Sequence, residues 1–431
     1  MTHGRCLEYL KSLERFGIKL GLDNIRALLG SLGDPDRRFP SALIAGTNGK
    51  GSVAAMLVRI LTEHGFRTGL YTSPHLVRVE ERIRIGDDLI SARAFCRALT
   101  TVRERADALV ASGGLSHPPT FFEVLTATAL VHFAEEAVDF AVLEVGMGGR
   151  FDATNAVTPL LSVITTVSMD HQTYLGGTLG EIAFEKAGIV KPGVPVVCGV
   201  RRGTALRVIR RRARELRAPV IEVFGPGTAF AASPARGDTR FAYDTGRARY
   251  EFKPSLPGFH QGENAAVAIR AAEVLARVWR PLDRRKMIAA VGRTRWEGRL
   301  ETVGSKPPII LDGAHNPEGA VSLAAYVRDV VRRPVILIFD VMKDKDIGAI
   351  AASLFPLART VVLTRVPMAR AAEPEDVLRL WKGRRDNILI EPDIGKALKL
   401  AEGLAGAKTP VLAAGSLFLV GEIKKRISRR P

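Results

Sequence analysis

The chain has 431 residues, 46% hydrophobic and 25% charged, with 41 glycines and 24 prolines; at roughly 150 residues per domain this suggests two or three globular domains and excludes gross disorder. Its formal net charge is +18, but no aromatic-interleaved basic patch accompanies it, so the excess reads as solvated faces that could draw in an anionic substrate rather than as a nucleic-acid surface. No run approaches the ~20 apolar residues that span a bilayer, the first eight residues hold no apolar signal core, and Cys6, Cys96 and Cys198 lie far apart without ligand or disulfide-framework spacing, so a cytoplasmic monomer with no membrane or nucleic-acid partner is expected.

Along the chain, apolar spacing at Leu7, Leu10 and Leu13, then at Ile25, Leu28 and Leu29, predicts two short helices within 5–30. The apolar run 41–45, bounded by Pro40 and Gly46, suits a buried parallel strand. A helical pattern follows over 52–63. Strands at 138–145 and 160–167 then alternate with helices at 126–135 and 179–188, which implies a parallel sheet with helices on both faces. Arg210-Arg211-Arg212 falls in a further helical stretch. Residues 240–243 and 248–252 flank an Asp/Gly turn and predict a hairpin, a small antiparallel β patch on the first domain. An Ala-rich helix is expected over 264–277.

Periodicity breaks near 292–308. Alternation then restarts, with strands at 308–312, 334–340, 359–364, 387–391 and 409–414. Helices are expected at 317–330, 346–354, 374–383, 393–404 and 416–427, the last carrying the basic cluster Lys424-Lys425-Arg426 with Arg429-Arg430 after it. The fold class is therefore α/β. Residues 1–297 form an N-terminal parallel-sheet domain with the β patch, of P-loop ATPase type because the glycine-rich run Gly46-Thr47-Asn48-Gly49-Lys50-Gly51-Ser52 follows its first strand, and 298–431 a C-terminal Rossmann-like doubly wound domain.

Gly46-Thr47-Asn48-Gly49-Lys50-Gly51-Ser52 joins the first strand to a helix. The glycines let the backbone curl so that N–H groups converge, and the helix N-terminus adds its dipole. Lys50 supplies a charge for the β/γ-phosphates, and the Ser52 hydroxyl can reach Mg2+. The loop departs from the common P-loop form because Gly51 separates Lys50 from Ser52.

This loop resembles that of the Mur ligase superfamily, and most closely its folylpolyglutamate synthase/dihydrofolate synthase branch. The resemblance continues through Tyr71-Thr72-Ser73-Pro74-His75-Leu76, Thr120-Phe121-Phe122-Glu123, the run Glu144 to Asn155, Asp170-His171, Glu185-Lys186-Ala187-Gly188-Ile189, Leu311 to Pro317, and Gly415 to Glu422. It implies ATP and Mg2+ as cofactors, with a second Mg2+ left open. Glu144, His171, Ser73 and Ser52 would hold the metal, joined by Lys186 if carbamylated; Lys50, Lys186, Glu144 and His171 form the implied catalytic set. Asn264, Arg299, Asp312 and His315 match family positions that contact ATP. Thr120, Phe121, Phe122, Glu123, Phe151, Asp152 and Ala153 are candidates for the pterin and aminobenzoate end of a folate, since aromatic faces stack on a flat heterocycle and a carboxylate can bind its N–H groups.

Read without the resemblance, His171 is a loop or core histidine, Lys186 a surface lysine, the phenylalanines core, and Asp312 a helix N-cap ahead of Pro317. Two positions depart from the family: Glu297 stands where Pro often precedes Gly-Arg, and Asp340 where Gly is usual. The implied activity is ATP-dependent addition of L-glutamate to dihydropteroate or a folate through an acyl phosphate. Rival readings are a cell-wall Mur ligase, for which the 45 residues before Gly46 are too few to hold a nucleotide-sugar domain, and a P-loop NTPase without ligase activity.

Overall fold

The computed structural model describes residues 1–17, 19–233 and 239–428; Arg429 and Arg430 of the basic tail lie outside them. The five side chains of strand Ser41–Ala45 are all buried, as a strand covered on both faces requires. It sits inside an eight-stranded sheet, between Phe140–Glu144 and Leu161–Ile164. Both pairings are parallel, with Ile44 beside Glu144 and Ala45 beside Ile164. Thr68–Tyr71 extends the sheet beyond Phe140–Glu144, and Val196–Cys198 and Val220–Glu222 extend the other side. Chain continuation to opposite sides of one strand opens a crevice at the carboxyl ends, where ligands gather.

Alternation along the central strands feeds two cores. Leu43 and Leu143 face helices His3–Leu13, Asp23–Ser31, Ala92–Ala111 and Phe121–Glu135. Ala42, Ile44, Val142 and Val163 face helices Lys50–Glu63 and Phe259–Val278. Tyr243, Tyr250 and Phe252 of the antiparallel patch join this second core. The patch has a third strand, Ala229–Ser233, that the sequence pattern did not reveal; its half-exposed alternation is weak. The short hairpin Ile83–Ile85/Asp88–Leu89, antiparallel at the sheet edge, was likewise unforeseen.

The second sheet runs Glu301–Val303, Ile309–Leu311, Val411–Ala414, Val335–Phe339, Ala358–Leu363, Ile388–Ile390. All its pairings are parallel except the first, an antiparallel edge strand outside the expected doubly wound order. Helices Pro317–Tyr326 and Ile347–Leu354 cover one face, Ile394–Ala405 and Leu417–Ile427 the other. Among the described residues no helix is long and apolar enough to cross a membrane.

Several boundaries differ from the pattern. The helix expected over 126–135 begins at Phe121, because Thr120 and Glu123 form a reciprocal capping box. The helix expected over 52–63 begins at Lys50. The helix over 317–330 ends at Tyr326 and runs on as a wider π-turn to Val331, and that over 374–383 stops at Leu380. The strand over 160–167 ends at Ile164, since Thr165 and Thr166 turn to bond the phosphate loop. The N-cap ahead of Pro317 is Asn316, whose side chain accepts from Gly319 N–H, and Asp312 is not the cap.

The two departures have structural partners. Glu297 and Glu301 both pair with Lys424 of the last helix, at 3.0 and 2.7 Å. Buried Asp340 accepts from Ser416 Oγ (2.6 Å) and Val366 N–H (3.2 Å), joining the carboxyl end of its own strand to those of the two strands that flank it.

Lys191, after helix Leu179–Ala187, donates to Asn155 O at 2.7 Å. Burial, then Arg26, pulls its amine down to about 8. The folded value lies below the unfolded 10.5, so between the two the unfolded chain holds more protons and stability rises with pH. Lys191→Met is therefore expected to add about 1 kcal/mol at pH 7, less near pH 10. Urea unfolding at both pH values checks this; an equal effect at both would refute it.

Candidate active site

The loop after Ser41–Ala45 is held from both sides. Thr47 N–H donates to Thr166 O (2.8 Å) and Asn48 N–H to Thr166 Oγ1 (3.0 Å). Thr165 Oγ1 donates to Asn48 O (2.6 Å). Gly49 has φ +84°, and a Cβ there would lie 2.3 Å from Asn264 Oδ1, so only glycine fits. The Lys50 ammonium donates to Gly46 O and Thr47 O, both at 3.1 Å. Lys186 reaches the same loop, donating to Gly46 O at 2.9 Å. Ser52 is buried in the first turn of Lys50–Glu63.

A 420 Å³ cavity opens over this loop. From the first unit Ser73, Glu144, His171, Lys186 and Asn264 line it; from the second come Arg299, Asp312 and His315. Glu144, 4% exposed, accepts from Ser73 N–H at 3.2 Å. Burial pushes its carboxyl up, and Lys50 offsets this only in part. Burial likewise pulls Lys50 down. Burial and then neighbouring Lys50 pull Lys186 to about 7, and burial holds His171 near 4, so its ring is neutral at physiological pH. Buried acids and amines each drawn towards neutrality mark a site short of counter-charge.

The second unit docks directly on the loop through residues the sequence reading gave no role. Asn48 and Asn316 exchange side-chain hydrogen bonds (2.9 and 3.2 Å), and Asn48 donates to Glu318 at 2.6 Å. Lys345 pairs with Asp170 at 2.6 Å, both side chains 5% exposed. Burial alone would raise Asp170, but His315, His171 and Lys345 hold it well below the usual carboxylate range. His315 Nδ1 lies 2.7 Å from Gly313 O. Asp312 accepts from Leu300 and Ala314 N–H, both at 2.9 Å. Asn316 and Glu318 carry no signal beyond helix-start chemistry, so only the docked geometry shows their contact.

A second cavity of 380 Å³ shares Ser73, His171 and His315 with the first. Thr120, Phe121, Phe122, Phe151 and Ala153 line it. The three phenylalanines are half-buried and so are not simply core. Phe122 lies 5.9 Å from the Tyr71 ring, and the Arg82 guanidinium stands 5.4 Å over Phe121. Glu123 and Asp152 are there too, but their oxygens serve local structure. Glu123 accepts from Thr120 N–H and Oγ1 (2.7 and 2.8 Å). Asp152 accepts from Thr154 Oγ1 and Met147 N–H (2.6 and 3.0 Å).

The chain matches the Mur ligase middle domain over residues 44–272 and the Mur ligase glutamate ligase domain over 298–417. It is 35% identical to a dihydrofolate synthase/folylpolyglutamate synthase of Bacillus subtilis, with 96% of each chain covered. The solved Mycobacterium tuberculosis folylpolyglutamate synthase complexed with ADP superposes with a TM-score of 0.92 at 32% identity, covering 100% of both chains. E. coli FolC in complex with DHPP and ADP gives 0.88 at 27% identity, covering 99% of this chain and 98% of that one. With both domain models matched in order and a relative aligned almost end to end, this chain belongs to the folylpolyglutamate synthase/dihydrofolate synthase family of Mur ligases.

Proposed function

We propose that the chain joins L-glutamate to dihydropteroate, or to a folate already carrying glutamate, at the cost of ATP. The observation that carries this is the pair of adjoining cavities, one over the phosphate loop and one walled by aromatic rings, sharing Ser73, His171 and His315. ATP lies in the first with its phosphates on residues 46–52, and Asn264, Arg299, Asp312 and His315 contact it. The acceptor lies in the second, its ring system against Phe121, Phe122 and Phe151, with Thr120, Glu123, Asp152 and Ala153 shaping the wall.

At the shared wall an acceptor carboxylate oxygen attacks the γ-phosphorus, the bond to ADP breaks, and an acyl phosphate forms. Lys50 and the loop N–H groups offset the charge that develops. The neutral amine of glutamate then attacks the acyl carbon, phosphate leaves, and the amide forms after loss of a proton. Units 1–297 and 298–431 work as two lobes, and the docking of Asn316, Glu318 and Lys345 on Asn48 and Asp170 excludes water from the acyl phosphate.

The donor set fits Mg2+. Among the described residues no three His, Cys, Asp or Glu side chains could hold a metal together, but Mg2+ is commonly held by one or two carboxylates plus substrate phosphates. Ser52, Ser73, Glu144 and neutral His171 offer such a partial shell, joined by Lys186 as a carbamate. The ion would neutralise phosphate charge during transfer. A cytoplasmic location and a single-chain state belong to the same proposal.

Phosphate release measured with and without glutamate, using dihydropteroate and tetrahydrofolate in turn, tests the reading. Release is expected only when acceptor and glutamate are both present. Equal release without glutamate would favour an NTPase.

A further inference from the structure

The acceptor cavity has an uneven charge ledger. Three carboxylates reach it and all are engaged: Glu123 by Thr120, Asp152 by Met147 and Thr154, and Glu185 by Arg150 at 2.9 Å. Four cations reach it as well, and only Lys345 is neutralised, by Asp170. Arg82, 8% exposed, donates Nε to His75 Nδ1 at 2.8 Å and meets no carboxylate ion-pair partner among the described residues. Lys19 and Arg370 are exposed and likewise form no ion pair among the described residues. One comes from each sequence unit, and both are exposed where they line the cavity.

All the unspent charge in this cavity is therefore positive, and exposed Lys19 and Arg370 line this cavity but not the one over the phosphate loop. Dihydropteroate brings one carboxylate, which must sit beside His171 to be phosphorylated. An acceptor with a γ-linked glutamate tail also fixes its terminal γ-carboxylate there. Every preceding glutamate then presents an α-carboxylate farther out along the cavity. From this geometry we infer that Lys19 and Arg370 bind the α-carboxylates of a γ-glutamyl tail and bias the enzyme towards acceptors that already carry glutamate. The inference rests on the proposed ligase reaction and assigns these two residues to its acceptor specificity.

Steady-state kinetics with dihydropteroate, tetrahydrofolate monoglutamate and tetrahydrofolate triglutamate test it, on the unaltered chain and on Lys19→Ala, Arg370→Ala and the double variant. Each exposed cation is worth about threefold in binding, and the pair about tenfold. The double variant is expected to raise KM for the triglutamate about tenfold, with less than about twofold change for dihydropteroate and little change in kcat. The triglutamate KM of the unaltered chain should also rise more steeply with salt. Equal KM changes for all three acceptors, or none, would overturn the assignment while leaving the ligase reading intact. No glutamate-dependent turnover by the unaltered chain with any acceptor would overturn both.

Discussion

Replacing Lys186 with alanine is expected to lower glutamate-dependent turnover about a thousandfold, and added acetate to restore part of it. The lysine sits in the last turn of Leu179–Ala187, 3% exposed, with its amine on Gly46 O. Burial and then Lys50 bring it down to about 7, so at pH 8 roughly nine in ten of these amines are neutral, against fewer than about one in a hundred for an ordinary lysine. A neutral amine can attack carbon dioxide: the N–C bond forms, a proton leaves, and a cation becomes a carbamate anion. That exchange would give the proposed Mg2+ shell around Glu144 and His171 an anionic oxygen donor, whose buried charge the cation would offset. Since deprotonation comes first, bicarbonate should stimulate turnover more at pH 8 than at pH 6. Acetate entering the space left by alanine would return a carboxylate without the lysine. Full turnover in Lys186→Ala would remove the residue from catalysis; a crippled variant deaf to acetate beside an active Lys186→Arg would remove the carbamate.

How far the sequence foretold this site depends on how local each signal is. The phosphate loop was readable because strand, glycines, Lys50 and helix are contiguous. The strands 41–45 and 335–339 announced themselves as unbroken apolar runs, since both faces are covered. Glu144 and His171 could be placed at strand ends, but their approach to one loop needed the parallel register that sets Ile44 beside Glu144. Lys186 shares the buried face of its helix with Ile182, Ala183 and Ala187, a stripe legible in the sequence, but the residue type argued for the surface and only the fold sets its amine on Gly46 O. Glu123 and Asp152, candidates for the acceptor's N–H groups, stand in the cavity wall, and capping and turn bonds that residue type alone does not reveal fix their orientation. The latch between Lys345 and Asp170 joins positions 175 residues apart, and no spacing rule reaches that far. The antiparallel strand Ala229–Ser233 escaped because small residues filling half-exposed positions carry little periodicity.

That latch works only if the second lobe can come close, and Gly421 sets how close. It lies within helix Leu417–Ile427, and a Cβ there would fall 1.9 Å from the Leu76 carbonyl oxygen. The obstacle is backbone, in the segment that carries Ser73 and runs to Glu81, whose carboxylate fixes Leu76 N–H at 2.7 Å, so it cannot swing aside as a side-chain tip would. Gly421→Ala is therefore expected to push the lobes apart and lower kcat/KM about a hundredfold, the cost of roughly an ångström of misplacement at the reacting atoms. The helix itself should not suffer, because alanine is the better helix former by up to about 1 kcal/mol. Gly403→Ala provides the control: it is exposed in helix Ile394–Ala405, and its added Cβ meets nothing within 4 Å. It should gain the same helix propensity and keep full activity. Kinetics on both variants, with thermal unfolding alongside, separates lost closure from lost fold. If Gly421→Ala turns over like Gly403→Ala, the lobes reach the acyl phosphate without that close contact. If it loses activity only in step with a falling Tm, the glycine serves stability. Loss of activity at unchanged Tm would tie the smallest side chain on the last helix to the bond made some residues away, at the wall shared by the two cavities.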